Sequence, residues 1–145
     1  MKKVLIAGAT GAMGQKAVDL VNSLAGFEIT AALAPTLTKE NMTDFHLASS
    51  VQPYQTLDEI EDGVADIWID FTLPSAVYQN VKFALEHGMR PIVGTTGLTD
   101  EQQADLVRLS EEKQIGGLIA ANFGMSAVLL MKFAQEAAKY FPDVR

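Results

Sequence analysis

Short apolar runs alternate along the chain with stretches in which apolar residues recur every three or four positions. Such alternation predicts βαβ units around a parallel sheet: a strand covered on both faces is apolar throughout, whereas its covering helix needs only one apolar stripe. Residues 4–7 read as a first strand, followed by a helix that carries Met13, Ala17, Leu20, Val21 and Leu24 at helical spacing and that Gly26 ends. Residues 27–33 read as a second strand. The polar stretch 34–50, with Pro35 and several Thr and Asn, reads as a loop with at most a little helix. A short third strand is expected at 51–54 and a fourth at 65–71. Thr72 is the expected cap of the next helix, which has Pro74 in its first turn, Val77, Val81, Ala84 and Leu85 on its buried face, and Gly88 as its stop. A fifth strand spans 91–93. Thr99 and Gln102 form a capping box for a helix carrying Leu106, Val107 and Leu109, and 116–120 supply a sixth strand. The segment 126–140 reads as helical but apolar on most sides; with Leu129, Leu130, Met131, Phe133 and the nearby Phe141, it calls for covering on more than one face.

The chain has 145 residues, 48% of them apolar, enough for one compact domain with a continuous core but not for a second of similar size. Residues 1–145 are therefore expected to form a single α/β domain. A net charge of −7 without a basic stripe or tail argues against a nucleic-acid partner, whose phosphates are met by clustered Lys and Arg. Cysteine is absent, which excludes thiolate chemistry and a disulfide framework and suits a reducing, cytoplasmic setting. The apolar stretch after Lys2 and Lys3 reaches Gly8 too soon for a secretory signal, and no apolar run has the length of a bilayer span. A soluble protein is expected.

Gly8, Gly11 and Gly14 lie in GATGAMG, between an expected strand and an expected helix. In that setting glycines permit a tight turn and let the backbone approach a pyrophosphate, whose charge meets the free N–H groups and positive dipole end of the helix. The bland alternative is a glycine-rich turn with no ligand. It is the weaker one, because three glycines at a helix start weaken that helix unless something must come close. In dinucleotide-binding folds an acidic residue about twenty positions on, at the end of the second strand, binds the adenosine ribose. Glu28 has the right count but stands at the start of its strand, whereas the edge position is near Ala34, which binds neither hydroxyl nor phosphate. Thr36 and Lys39 are within reach of a 2′-phosphate, although a loop lysine is more commonly just solvated. The choice between NADH and NADPH stays open.

Two more loops follow expected strand ends, Gly94, Thr95, Thr96 and Gly97 after the fifth and Ala120, Ala121, Asn122 and Phe123 after the sixth, at the edge where open α/β sheets bind ligands. Together with GATGAMG, with Asp70, Phe71 and Thr72, and with the closing LLMKFAQEAAKYFPDV, they resemble the 4-hydroxy-tetrahydrodipicolinate (dihydrodipicolinate) reductases of bacterial lysine and diaminopimelate biosynthesis. The resemblance covers the whole chain. It implies a Rossmann-type doubly wound parallel sheet in three α/β/α layers, and NADH or NADPH as cofactor. It further implies that Gly8, Ala9, Thr10, Gly11, Ala12 and Met13 cradle the pyrophosphate and that Phe71 and Thr72 line the pocket near the adenosine. Gly94, Thr95 and Thr96 would hold the nicotinamide side, and Ala120, Ala121, Asn122 and Phe123 its carboxamide. The implied reaction is hydride transfer to a hydroxylated cyclic imine dicarboxylate with loss of water, carried out by a homotetramer. Three positions depart from the family: Ala12 stands where Arg is common, and Ala34 and Pro35 stand where an acidic or basic pair is common.

The family's catalytic histidine pair, lysine and Gly-Thr substrate segment belong to a second domain beginning just after the point matching Arg145, so no catalytic residue is expected in this chain. His46, in the polar loop, and His87, beside a helix-ending glycine, read as structural or surface groups. Carboxylates and histidines are not spaced for acid-base chemistry or for a metal. Two rival readings remain at this stage. GATGxxG also opens atypical short-chain dehydrogenases, whose YxxxK spacing Tyr78 and Lys82 match, though earlier in the chain than that dyad belongs. The other rival is a non-catalytic nucleotide-sensing module acting through its apolar last helix.

Overall fold

The computed structural model describes residues 1–120, and the expected helix at 126–140 lies outside them. Six strands form one sheet: β1 (Lys2–Ala7), β2 (Phe27–Leu33), β3 (Gln52–Tyr54), β4 (Ile67–Asp70), β5 (Arg90–Val93) and β6 (Leu118–Ile119). Their spatial order is β3-β2-β1-β4-β5-β6, and every pairing is parallel. The chain starts in the middle, builds outward to β3, then returns across β1 to build the other half, so the strand order reverses between β1 and β4. In open α/β sheets that reversal opens a crevice at the carboxyl ends of the strands.

The two faces of β1 show why its residues are apolar without alternation. Val4 and Ile6 point into a core with Ala17, Val18 and Val21 of α1 (Ala12–Ser23). Leu5 and Ala7 point the other way, to Trp68 and to Ala84 of α2 (Pro74–Glu86). All four are at most 1% exposed. Burying each large one contributes about 1.5–3 kcal/mol. Trp68, fully buried, is the largest side chain in the second core and packs against Phe83 with ring centroids 5.9 Å apart. α3 (Asp100–Lys113) seals α2 through Leu106, which meets Val77, Val81 and Leu85. Val107, the next residue of α3, is exposed to solvent.

Helix ends show where local chemistry was decided tertiarily. Thr99 caps α3 as its spacing predicts, accepting from the Gln102 N–H at 3.1 Å while the Gln102 side chain accepts from the Thr99 N–H at 3.0 Å. Thr72, the expected cap of α2, does not cap it; Leu73 occupies the N-cap with no side-chain bond, and the Thr72 hydroxyl donates to the Asp70 carboxylate at 2.6 Å. A carboxylate acceptor makes a stronger hydrogen bond than the polarised N–H groups of a helix start offer to a neutral hydroxyl. α1 stops at Ser23, with Leu24 as its C-cap, and Gly26 lies beyond it at φ +87° in the turn into β2. The segment 34–50 holds one 3₁₀ turn, Met42–Phe45, and buries Leu37, Met42 and Leu47 against the α1 core. No helix among the described residues is long and apolar enough to cross a membrane.

Candidate functional site

Gly8, Gly11 and Gly14 serve three different ends. Gly8 has φ +83°, and a Cβ there would stand 2.1 Å from the Phe71 carbonyl oxygen, so the turns after β1 and β4 touch through it. A Cβ on Gly14 would stand 1.8 Å from the Gly8 carbonyl oxygen, so α1 presses directly on the turn that precedes it. Packing therefore explains both. Gly11 is the N-cap of α1 with φ −81° and ψ 167°, backbone that any residue adopts, and a Cβ there would meet only the Gly8 oxygen at 3.5 Å. Nothing in the protein demands glycine at that position, which is exposed. What its lack of a side chain preserves is open space over the start of α1.

That helix start is electrostatically unanswered. α1 has no capping side chain and no acidic residue in its first turn, whereas α3 has both. By helix geometry the first N–H groups of α1 have no intrahelical acceptor, and they carry the positive end of the macrodipole. A cleft of about 400 Å³ opens beside it, lined by Gly8, Thr10 and Gly11 on one side, Ala34, Pro35, Gln55 and Thr56 on another, and Phe71, Thr72 and Asn80 on a third. No lining side chain is charged. An uncharged cleft ending at a bare helix N-terminus suits a ligand with a flat, neutral portion and an anionic portion. A shallower hollow of about 460 Å³ runs along the solvent face of α3 between Asp100 and Glu111 and shares no residue with this cleft. It lacks buried polar groups and lies away from the strand ends, so the cleft at the crevice is the candidate site.

Of the expected cofactor residues, Gly8, Thr10, Gly11, Phe71 and Thr72 line the cleft. Ala9 is buried beneath it, Ala12 is exposed and Met13 half-buried on the first turn of α1. Gly94, Thr95 and Thr96 form the neighbouring turn after β5. The Gly94 N–H donates to the Asp70 carbonyl at 2.8 Å, Thr95 is buried, and Thr96 faces solvent. Ala120 follows β6, its N–H bonded to the Val93 carbonyl at 3.0 Å; Ala121, Asn122 and Phe123 lie outside the described residues. Gln55, Thr56 and Asn80 complete the cleft and were not anticipated. The first two immediately follow β3, so the carboxyl-end rule pointed to them; Asn80 is a lone polar residue in the buried stripe of α2.

Below the cleft floor lies a fully buried carboxylate. Asp70 Oδ2 accepts from the Trp68 indole N–H at 3.0 Å and from Asn80 Nδ2 at 3.1 Å. Its Oδ1 accepts from the hydroxyls of Thr72 at 2.6 Å and Thr95 at 2.7 Å, and from the Thr72 N–H at 3.1 Å. Every partner is a neutral donor, and no buried side-chain polar atom among the described residues lacks a partner.

The remaining candidates sit elsewhere. Tyr78 donates to Asp105 across the α2–α3 contact, a bond that raises the phenol above its ordinary range and lowers the carboxyl, and neither residue lines the cleft. His46 pairs with Asp19 at 2.8 Å, and His87 Nδ1 donates to the Phe83 carbonyl at 2.8 Å. Among the described residues no three acidic or histidine side chains converge as a metal site.

Strand order 3-2-1-4-5-6, a glycine turn at the order reversal and an anion-ready helix start together define a Rossmann-type dinucleotide-fold domain. Residues 2–123 match the family described as dihydrodipicolinate reductase, N-terminus, and the chain belongs to that family. It is 63% identical over 143 residues to the 4-hydroxy-tetrahydrodipicolinate reductase of Lactobacillus helveticus, covering 99% of this chain and 54% of that protein. It is 49% identical to the enzyme of the same name from Enterococcus faecalis, again covering 99% of this chain and 55% of the relative. The chain thus spans about half the length of these relatives. In three dimensions it resembles dipicolinate-bound dihydrodipicolinate reductase from Paenisporosarcina sp. TG-14, with TM-score 0.73, 35% identity, and coverage of 98% of this chain and 55% of that one.

Proposed function

We propose that this chain is the cofactor-binding part of a reductase that converts 4-hydroxy-tetrahydrodipicolinate to tetrahydrodipicolinate, and that it binds NADH or NADPH in the cleft at the order reversal. The observation that carries this reading is Gly11: a glycine that the fold itself does not need, at the open start of a helix without a cap of its own. A Cβ would fill the approach to those N–H groups, and a pyrophosphate is the group that needs it open. Membership of the reductase family agrees with this.

In this reading Gly8, Ala9, Thr10, Gly11, Ala12 and Met13 cradle the pyrophosphate through backbone N–H groups other than those of Gly8 and Gly11, which already bond to the Leu33 and Gly8 carbonyls. The apolar wall of Leu33, Ala34 and Pro35 and the faces of Phe71 and Thr72 hold the adenosine. Gly94, Thr95 and Thr96 lie toward the nicotinamide, with Thr96 and backbone groups available to a ligand because the Thr95 hydroxyl is already bonded to Asp70. Ala120, Ala121, Asn122 and Phe123 continue that side. When bound, the cofactor supplies the hydride; this chain's residues place it and shield it. The substrate, a cyclic dicarboxylate, and the groups that bind and protonate it are assigned to the portion of the relatives that this chain does not match, whereas assembly into a homo-oligomer is assigned to this chain's own apolar 126–140 segment. A reducing cytoplasm suits a chain without cysteine.

Titration calorimetry of the chain with NADH and NADPH tests the reading. Saturable one-to-one binding of at least one is expected. Absence of binding by both, with the chain folded, would refute it.

A further inference from the structure

The Asp70 carboxylate is a buried ionisable group that the binding scheme above does not use. Stability alone does not call for it: apolar side chains replacing a buried polar cluster are often neutral or better. What the carboxylate adds is direction. Asp70 is the last residue of β4 and stands in register with Val93, the last of β5, so the turns after both strands leave the sheet side by side. The Asp70 carbonyl receives the Gly94 N–H at 2.8 Å, and its Oδ1 receives the hydroxyls of Thr72 and Thr95, one from each turn. With its proton turned to Asp70, the Thr95 hydroxyl has a lone pair for the Thr72 N–H, which it accepts at 2.8 Å. Asn80 Nδ2 closes the ring from α2, reaching Asp70 Oδ2 at 3.1 Å and Thr72 Oγ1 at 3.2 Å. One carboxylate oxygen thus takes a hydroxyl from each turn, and the Thr95 hydroxyl takes the Thr72 N–H in return, which ties the two turns to one relative position.

We propose that Asp70 and the Thr95 hydroxyl act as positioning residues that lock the turn 71–73, which walls the cleft, to the turn 94–96 beside it, so that both halves of a dinucleotide meet a preset surface. The proposal rests on the dinucleotide reading of the cleft. Neither Asp70 nor Thr95 lines the cleft, and their effect passes through Thr72. The lock lowers the cost of ordering two turns at once upon binding.

Thr95→Val removes the hydroxyl while keeping the side-chain volume. Calorimetry with NADH and with ADP-ribose, which lacks only the nicotinamide, separates the possibilities. The expected result is that Thr95→Val weakens NADH about tenfold and ADP-ribose about threefold, and that Thr95→Ser restores both. Loss confined to NADH marks a direct nicotinamide contact, and unchanged affinities with a lowered melting temperature mark a structural role; either overturns the proposal. Hydrogen exchange on the unaltered chain decides independently of whether the variant folds: ADP-ribose should slow exchange of the Gly94 amide, and no slowing overturns the lock. No binding of either ligand to the unaltered chain overturns the dinucleotide assignment, and this inference with it.

Discussion

Gly14 lies so close under Gly8 that a methyl group on Gly14 would stand 1.8 Å from the Gly8 carbonyl oxygen, whereas one on Gly11 would clear that same oxygen at 3.5 Å. The glycine turn is therefore divided between packing, at Gly14, and open space at Gly11, which the proposed function gives to the ligand. Gly14→Ala should destabilise the domain by about 3 kcal/mol or more, because backbone rather than a flexible side chain has to give way. Gly11→Val should keep the melting temperature nearly unchanged and lower dinucleotide affinity by about a hundredfold or more. Thermal denaturation and calorimetry on both variants check this; the opposite pattern would remove Gly11 from the binding site.

The end of β2 presents Ala34, which is buried, and Pro35, which is exposed, and no charged side chain lines the cleft near them. A 2′-hydroxyl finds no carboxylate there and a 2′-phosphate finds no guanidinium. NADH and NADPH should consequently bind within about tenfold of each other. Pro35→Arg should shift the ratio toward NADPH by about tenfold, since one charge-assisted bond to phosphate distinguishes the two. Affinities measured in parallel for both cofactors test this, and an unchanged ratio would place the adenosine elsewhere.

Tyr78 belongs to the α2–α3 contact, and its phenol is held by Asp105. Tyr78→Phe should leave cofactor affinity within about twofold. The bond raises the Tyr78 phenol above 10.0, so its contribution is present at lower pH and is lost as pH rises through the raised value. It lowers the Asp105 carboxyl below 3.8, so that contribution is present at higher pH and is lost as pH falls through the lowered value. The variant's stability profile should accordingly be flatter than the wild type's at both the alkaline and the acid end. Denaturant titrations across pH read this directly. A large loss of cofactor binding in a folded Tyr78→Phe chain would revive the tyrosine–lysine dehydrogenase scheme.

Binding and turnover should separate in this chain. The proposed function gives it the placing of a nicotinamide, but hydride transfer also requires an oriented dicarboxylate and a proton donor, which are assigned to the unmatched half of the relatives. The purified chain is expected to bind NADPH yet show no NADPH loss in a coupled assay with enzymatically generated substrate. Turnover by these residues alone would overturn that division.

The sequence by itself determined the layered α/β architecture, because periodicity records which faces are covered: residues 27–33 are the second strand, and Val77, Val81, Ala84 and Leu85 face the core as their spacing predicts. Purely local signals survived too. The Thr99–Gln102 capping box formed because both partners lie within one helical turn and nothing distant competes for them. The glycine loop was legible as a motif, but not its division of labour. Only the tertiary structure brought Phe71 and α1 against Gly8 and left Gly11 open. It likewise turned Thr72 from an expected cap into a partner of Asp70, because a buried carboxylate recruits the donors the fold brings to it: Trp68 two residues away, Asn80 ten, and Thr95 twenty-five. Hydrophobic patterning is written along the chain residue by residue, whereas the pairing of buried polar groups depends on which distant turns share one end of the sheet.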